Sequence, residues 1–524
     1  MVEPAAPGTS VVFEADNYFA SSLQHLLAEL ERVDLLIQLQ VARARQTQEL
    51  DEEFQGLYIS EKEVDDLLAR PAGLPRWAAA SGPLSQQEVQ RVLSQLAAGV
   101  ARRKFASEQR GIPLRLAELA RHFQLTPFDI DVLLVCLAPE IDLRYERLYA
   151  YLQDDVTRKR PTVDLVLNLL CFSLETKLAA RQRFTASSPL IKRRLLRLSE
   201  DSPPQTSSLL SKYLKIDERV TDYLLGSDEL DPFLLPYAEY IKPETRLEDL
   251  VMPDEVKRRL VLLTRQKATA EPGLVWYFQG PYGVGKQTTA EALCHELGMG
   301  LLVIDGERLL NQREGDFPEA VSLAVREALL QRAALYWQGI DLLLEESKGP
   351  LLEALLKELE EQPGLTFLAG NTTWEPADAL RQSPFVRIEF PRPGPTERAC
   401  LWARSLNGDL ADVPDADFYA LTSKFRLSGG QIKDALTTAR NLARWRDPQN
   451  GHLTMDDLYA ACRLQSNRKL ATLAQKVTPR YKWEDIVLPP DRMQQLQEIC
   501  IMSSTAAWST MSGALTASCL WARA

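Results

Sequence analysis

Gly280-Pro-Tyr-Gly-Val-Gly-Lys286 decides the reading of this chain. It follows the apolar run Leu274-Val-Trp-Tyr-Phe278 and precedes a helix-compatible stretch from Gln287 to Leu297. In the order strand, glycine-rich loop, helix, the loop's backbone N–H groups can surround phosphate oxygens, and the helix dipole adds to the attraction. Gly280, Gly283 and Gly285 supply backbone freedom, and Lys286 supplies a point charge for the outer phosphates. Pro281, Tyr282 and Val284 complete the loop, and Gln287 and Thr288 open the helix, so all nine residues are expected to contact ATP or ADP. The residue after the lysine is ordinarily Ser or Thr, whose hydroxyl ligates Mg²⁺. Here it is Gln287. Thr288 and Thr289 do not restore the hydroxyl, because one step along a helix turns a side chain by about 100°. The magnesium end of the site is therefore expected to be impaired.

Working outward, Leu301-Leu-Val-Ile-Asp305, Ala333-Ala-Leu-Tyr-Trp337, Leu365-Thr-Phe-Leu-Ala369 and Val386-Arg-Ile-Glu-Phe390 are further buried-strand patterns separated by helical stretches. They predict an α/β core over 246–394, a parallel sheet with helices on both faces. Residues 395–470 return to helical patterning and predict a small lid. Toward the N-terminus, residues 1–60 read as a leader and one long amphipathic helix, with Leu23, Leu26, Leu27, Leu30, Val33, Ile37 and Val41 on one stripe. Residues 61–202 read as a helical, winged-helix-like domain, and helical patterning continues over 85–240. Ser85-Gln-Gln-Glu88 is a capping box, with Leu84 and Val89 placed to staple it. Leu116–Phe123 forms a helix, and Thr126-Pro127 starts the next with proline where a missing N–H costs nothing. The Ser/Pro-rich start of 203–245 reads as a connector.

Leu247-Glu-Asp-Leu-Val-Met-Pro253 recurs as Trp483-Glu-Asp-Ile-Val-Leu-Pro489, with Pro243 and Pro479 at matching offsets. The first copy leads into the nucleotide module, so 477–500 reads as the lead-in to a second one. Residues 501–524 contain one charged residue, Arg523, in a chain that is 25% charged, and they show no helical or strand period. A frameshift near Cys500–Ile501, and hence a truncated product, is the reading that accounts for this tail.

The loop, the strands and the lid resemble the AAA+ ATPases over roughly 245–466. That resemblance implies that Ala333–Trp337 is the Walker B strand, which the family follows with an Asp-Glu pair; this chain has Gln338-Gly339. It implies a commonly acidic position at Asp341, the water-positioning sensor at Asn371, and a lid sensor in Gly429-Gly-Gln-Ile-Lys433 with Lys433 near phosphate. Asp341 and Asn371 are thus the candidate catalytic residues. The family's trans-acting arginine would fall near Pro384, and Arg387 would match the second arginine. With Tyr149-Ala-Tyr-Leu-Gln-Asp-Asp155 and Arg160-Pro161-Thr162 ahead of it, the arrangement is similar to the tandem-AAA bacterial ATPases of contractile injection systems. The resemblance implies protein remodelling or assembly, with protein clients and homo-oligomerisation, and the altered residues imply weak hydrolysis. A non-hydrolysing, nucleotide-stabilised scaffold and a winged-helix DNA-binding regulator are the alternatives.

The net charge of −11 argues against general affinity for nucleic acid. The seven scattered cysteines form no Cys-x-x-Cys pair, which fits reduced thiols and no zinc site. The N-terminus lacks a signal-peptide pattern and no apolar run approaches membrane-spanning length, so a cytoplasmic protein is expected.

Overall fold

The computed structural model describes residues 17–48, 86–200, 208–267, 273–360, 364–376, 379–380, 383–406, 415–449, 451–467 and 485–498. The capping box at Ser85, the first residues of the repeated lead-in and the 501–524 tail lie outside the described residues. The chain divides into two compact units, Met1–Leu235 with Ser322–Gln331, and Pro236–Val321 with Arg332–Ala524.

In the first unit, α1 (Ser22–Gln48), α2 (Gln86–Gln109), α3 (Arg115–His122), α4 (Pro127–Ile141), α5 (Arg144–Leu152), α6 (Val163–Leu170) and α7 (Leu174–Ala180) are followed by β1 (Leu196–Ser199), β2 (Tyr213–Ile216) and α8 (Glu218–Leu225). Leu26, Leu30, Val33, Ile37 and Val41 of the predicted stripe are buried in one core with the apolar centre of α4. Leu23 and Leu27 are exposed. Helix α4 begins as its sequence dictates: Thr126 caps it, Pro127 occupies the first turn and Asp129 closes a capping box. The Asp129 carboxylate is fully buried and also takes Arg183 Nε at 2.8 Å. Gln153 ties the Tyr149–Thr162 stretch together, donating to Arg158 O and Arg160 O and accepting from Thr162 Oγ1 at 2.7 Å. Thr162 in turn caps α6.

Strands β1 and β2 pair antiparallel, Leu196 opposite Ile216. They depart from the all-helical reading of 85–240, and β2 and α8 fall in the stretch read as a connector. Leu214, Ile216, Val220, Tyr223 and Leu224 bury into the main core of this unit, so 213–225 is part of the domain. Ser322–Gln331 contributes two charges to the same unit. Arg219 and Glu327 pair at 2.8 Å with almost no exposure on either side. Arg326 pairs with Asp217 at 3.1 Å and Asp231 at 2.6 Å.

His25 is buried against Phe19, with Glu29 at 3.8 Å. Burial first, and Lys104 second, lower its pKa from 6.5 to about 4. Above about pH 6.5 neither folded nor unfolded chain holds this proton. Between 6.5 and about 4 only the unfolded chain takes it up, so stability falls with pH, and below that range the loss is complete. Each tenfold change in proton affinity is worth about 1.4 kcal/mol, so the total is on the order of 3 kcal/mol. Denaturation of wild type and His25→Leu at pH 7 and pH 4.5 should show a smaller pH-dependent loss in the variant. Equal losses would refute this assignment.

The second unit is the α/β core and lid. Its sheet runs β3 (Ala238–Ile241), β5 (Gly300–Asp305), β6 (Ala333–Gln338), β7 (Leu365–Gly370), β4 (Leu274–Gln279) and β8 (Phe385–Glu389) in spatial order. All pairs are parallel except β3 with β5. The five parallel strands are those read from the sequence. Strand β3 was not among them; it came from the expected connector. Helices α9 (Asp254–Lys267), α10 (Lys286–Leu297), α11 (Gly306–Arg313) and α13 (Gly349–Glu360) accompany the sheet, and α12 (Phe317–Leu330) belongs to the first unit from Ser322 on. The lid comprises α14 (Pro395–Leu406), α15 (Asp415–Lys424), α16 (Gly429–Arg446) and α17 (Met455–Asn467) around its own apolar core.

Cys136, Cys171, Cys294 and Cys462 are buried without disulfides. Burial raises each thiol pKa, which keeps the sulfur protonated and unreactive. Among the described residues, no helix is long and apolar enough to cross a membrane.

Candidate functional site

The chain leaves β4 for α10 and reaches β5 only after passing β7 and β6, whereas β8 lies on the other side of β4. Connections thus diverge at the carboxyl end of β4, where open α/β sheets bind ligands. The Gly280–Lys286 loop occupies that point. Gly280 N–H donates to Gly370 O at the end of β7, 2.9 Å away. Gly283 and Gly285 hold left-handed backbone, φ 76° and 98°, that a larger residue would resist. Gly280 has no room for a β-carbon, which would collide with the Phe390 carbonyl oxygen.

Lys286 is half-buried, and its ammonium donates to Gly280 O and, at 3.3 Å each, to Pro281 O and Gly370 O. Burial lowers its pKa, and the Asp341 carboxylate works in the opposite direction. An arriving phosphate would favour the charged form further. The ammonium is thus held over the loop by neutral carbonyls, ready to exchange them for an anion.

Next to it, Gln287 Oε1 accepts from Gln338 Nε2 at 2.8 Å, and Gln287 Nε2 donates to Glu291 Oε1 at 3.0 Å. The two residues that stand where the resemblance implies a hydroxyl and a carboxylate therefore bond to each other. Thr288 is half-buried, and the Thr289 hydroxyl donates to Gly285 O at 2.8 Å within its own helix. Among the described residues no group of three His, Cys, Asp or Glu side chains could hold a metal ion. With amides at 287 and 338 in place of the hydroxyl and carboxylate that the resemblance implies, the residues present do not fit the family's Mg²⁺.

Asp341 and Asn371 are brought together, but through the backbone. The Asp341 carboxylate accepts from Asn371 N, Thr372 N and Thr372 Oγ1 at 2.7–2.9 Å. It braces the end of β7 beneath an exposed Asn371. Lys433 is exposed on α16, and no described bond brings its side chain to the loop. Arg387 faces Glu375 at 3.2 Å. Pro384 uses its carbonyl to accept from Val275 N.

The sequence reading missed three features. Gly430 N–H donates to Gly283 O at 2.8 Å, so the lid helix rests directly on the phosphate loop. Ser428 and Gln431 form the capping box that starts this helix. Gly339 has φ 71°, and the space a side chain would enter is filled by Glu307. The Ser428-x-x-Gln431 spacing was an available signal for the capping box; the other two features needed coordinates.

A β-carbon on Gly430 would stand 2.6 Å from Gly283 Cα, whereas one on Gly429 would meet nothing closer than 3.3 Å. Gly430→Ala is therefore expected to cost about 1–3 kcal/mol by overpacking backbone on backbone. Gly429→Ala, whose β-carbon would meet Gly283 O at 3.3 Å, is expected to cost less. Thermal unfolding of the two variants makes the comparison, and equal melting points would contradict the contact.

Known proteins match in the same places. The variant winged helix domain family matches residues 11–238. The ATPase family associated with various cellular activities (AAA) matches 276–392, and the contractile injection system ATPase helical domain matches 394–468. The replication factor C large subunit of Sulfolobus acidocaldarius is 25% identical over 163 residues, 30% of this chain and 37% of that protein. The chain thus spans little more than a third of that relative. The crystal structure of the FIGL-1 AAA domain aligns at 18% identity over 52% of this chain and 96% of that one, with a TM-score of 0.36. A structure described as the basis for katanin self-assembly aligns at 19% identity over 53% and 99%, with a TM-score of 0.35. With its three matched regions in unbroken order, the chain belongs to the AAA+ ATPase family, in the kind that joins a variant winged-helix region to an AAA module and a contractile-injection-system helical domain.

Proposed function

We propose that this AAA module binds ATP or ADP on Gly280–Lys286 and holds it with little or no turnover, inside a protein that remodels or assembles other proteins. One observation carries the reading. The loop and Lys286 are intact and pre-formed, while the positions that would organise a metal and an attacking water hold two mutually bonded amides and a glycine. Hydrolysis of a nucleoside triphosphate needs charge neutralisation and a polarised water. Binding needs the loop, the helix N-terminus and one cation. The nucleotide then acts as a structural ligand: the lid helix lies on the loop that holds it, so occupancy stabilises the core and the lid as one body. The matched helical domain supports assembly partners of the contractile-injection kind, and self-association is part of the proposal. Calorimetric titration with ADP and ATP, beside a steady-state phosphate-release assay, tests it. Micromolar binding with negligible release is the expected pair of results. Absence of binding, or binding with brisk release, would each overturn it.

A further inference from the structure

We propose that the Gln287–Gln338 amide pair takes the place of the magnesium ion, so that the ligand of this site is a metal-free nucleoside di- or triphosphate. The inference rests on the nucleotide-holding reading above and deepens it.

The orientation of the pair is set by chemistry. An amide's oxygen and nitrogen are distinguished by their partners. Glu291 carries a carboxylate, which only accepts, so the nitrogen of Gln287 must face it. The oxygen of Gln287 is then turned toward Gln338, and Gln338 must present its nitrogen, as observed at 2.8 Å. The chain of bonds runs in one sense only. Its consequence is that the Gln287 oxygen, the one atom at this position that could ligate a hard cation, is turned toward an N–H donor and has one lone pair left.

Magnesium demands near-octahedral oxygen ligands and gives up water reluctantly. The other oxygens nearby are held by their own bonds: Thr289 Oγ1 is fixed against its own helix by donating to Gly285 O, and both Asp341 oxygens receive N–H groups from Asn371 and Thr372. A hydroxyl and a carboxylate would together give a divalent cation one negative charge. Two amides give it none. What they offer instead is donors, since each amide nitrogen carries two hydrogens and the bonds above use one of each. An N–H donor beside Lys286 serves a phosphate oxygen and has nothing to offer a cation.

The test is a titration of the full chain with ADP in two buffers, one with EDTA and one with millimolar MgCl₂. The expected dissociation constant in EDTA is no weaker than in magnesium. Weakening by about tenfold or more in EDTA, equivalent to about 1.4 kcal/mol, would overturn the inference and leave the nucleotide-holding reading standing. Failure to bind in either buffer would instead overturn that reading. The Gln287→Thr/Gln338→Asp double variant, checked for native folding by circular dichroism, should acquire a magnesium requirement of about tenfold or more, the same 1.4 kcal/mol threshold. Because the wild-type comparison needs no variant, it decides the matter even if the double variant misfolds.

Discussion

Lys286→Ala is expected to reduce affinity for ATP and ADP by about 100-fold or more. The phosphate chain would lose the cation that the loop itself provides, and charge-assisted hydrogen bonds are worth about 1.5–3 kcal/mol each. The loss should be steeper here than at a surface lysine, since the ammonium is half-buried and water replaces it poorly. It also donates to three backbone carbonyls, at Gly280, Pro281 and Gly370. Alanine would leave those oxygens to find other donors, so a modest drop in melting temperature should accompany the binding defect. Circular dichroism separates the two effects: a folded variant without affinity confirms the role, and unchanged affinity would remove the loop from the site.

Saturating ATP is expected to elicit phosphate release far below the roughly one per second of working enzymes. Several of the positions that the resemblance ties to catalysis are altered. Gln287 and Gln338 are bonded to each other, Gly339 bears no acid, and Pro384 offers no guanidinium to a neighbouring site. An arginine supplied in trans can alone be worth about 10³–10⁵ in rate. Arg387 does not fill that gap while it faces Glu375. Nor does the simplest repair, Gly339→Glu, look open. The backbone there is left-handed, and the side chain of Glu307 occupies the space above it. Gln338→Asp by itself should therefore leave turnover low. Release near one per second from the unaltered chain would mean that another acid, Asp341 or Glu307, has taken over the missing function.

Four of the five parallel strands, β4, β5, β6 and β7, were legible because each is an apolar run buried on both faces, whereas the half-exposed edge strand β8 showed itself by the alternation Val386-Arg-Ile-Glu-Phe390. Strand β3 was not legible, because Ala-Glu-Tyr-Ile at an edge is half exposed and carries no run to notice. Strands β1 and β2 were missed because four residues are too few to show a period, and a Ser/Pro-rich opening disguised the folded stretch behind it. The site divides similarly. Glycine spacing and the lysine announce the loop locally. That Gln287 and Gln338 depart from the pattern the resemblance implies is read from their positions, but that they bond to one another is a fact of the parallel sheet. It places the end of β6 beside the start of α10, 51 positions away in the sequence. The contact of Gly430 with Gly283 depends likewise on how the lid closes, which no local pattern states.

Helix α12 has a consequence for how such genes can be recombined. Residues 322–331 lie between two strands of the nucleotide core, yet they fold with the N-terminal unit and hold Arg219 through Glu327 and Asp231 through Arg326. A piece ending at residue 235 would keep Arg219 without its carboxylate and Asp231 without its guanidinium. Unpairing one buried ion costs about 3–5 kcal/mol, a large share of a domain's whole stability. The N-terminal unit is thus not a transplantable cassette. A chimera between relatives that swaps it has to carry ten residues from the middle of the neighbouring module along with it, or arrive with its interior charges orphaned.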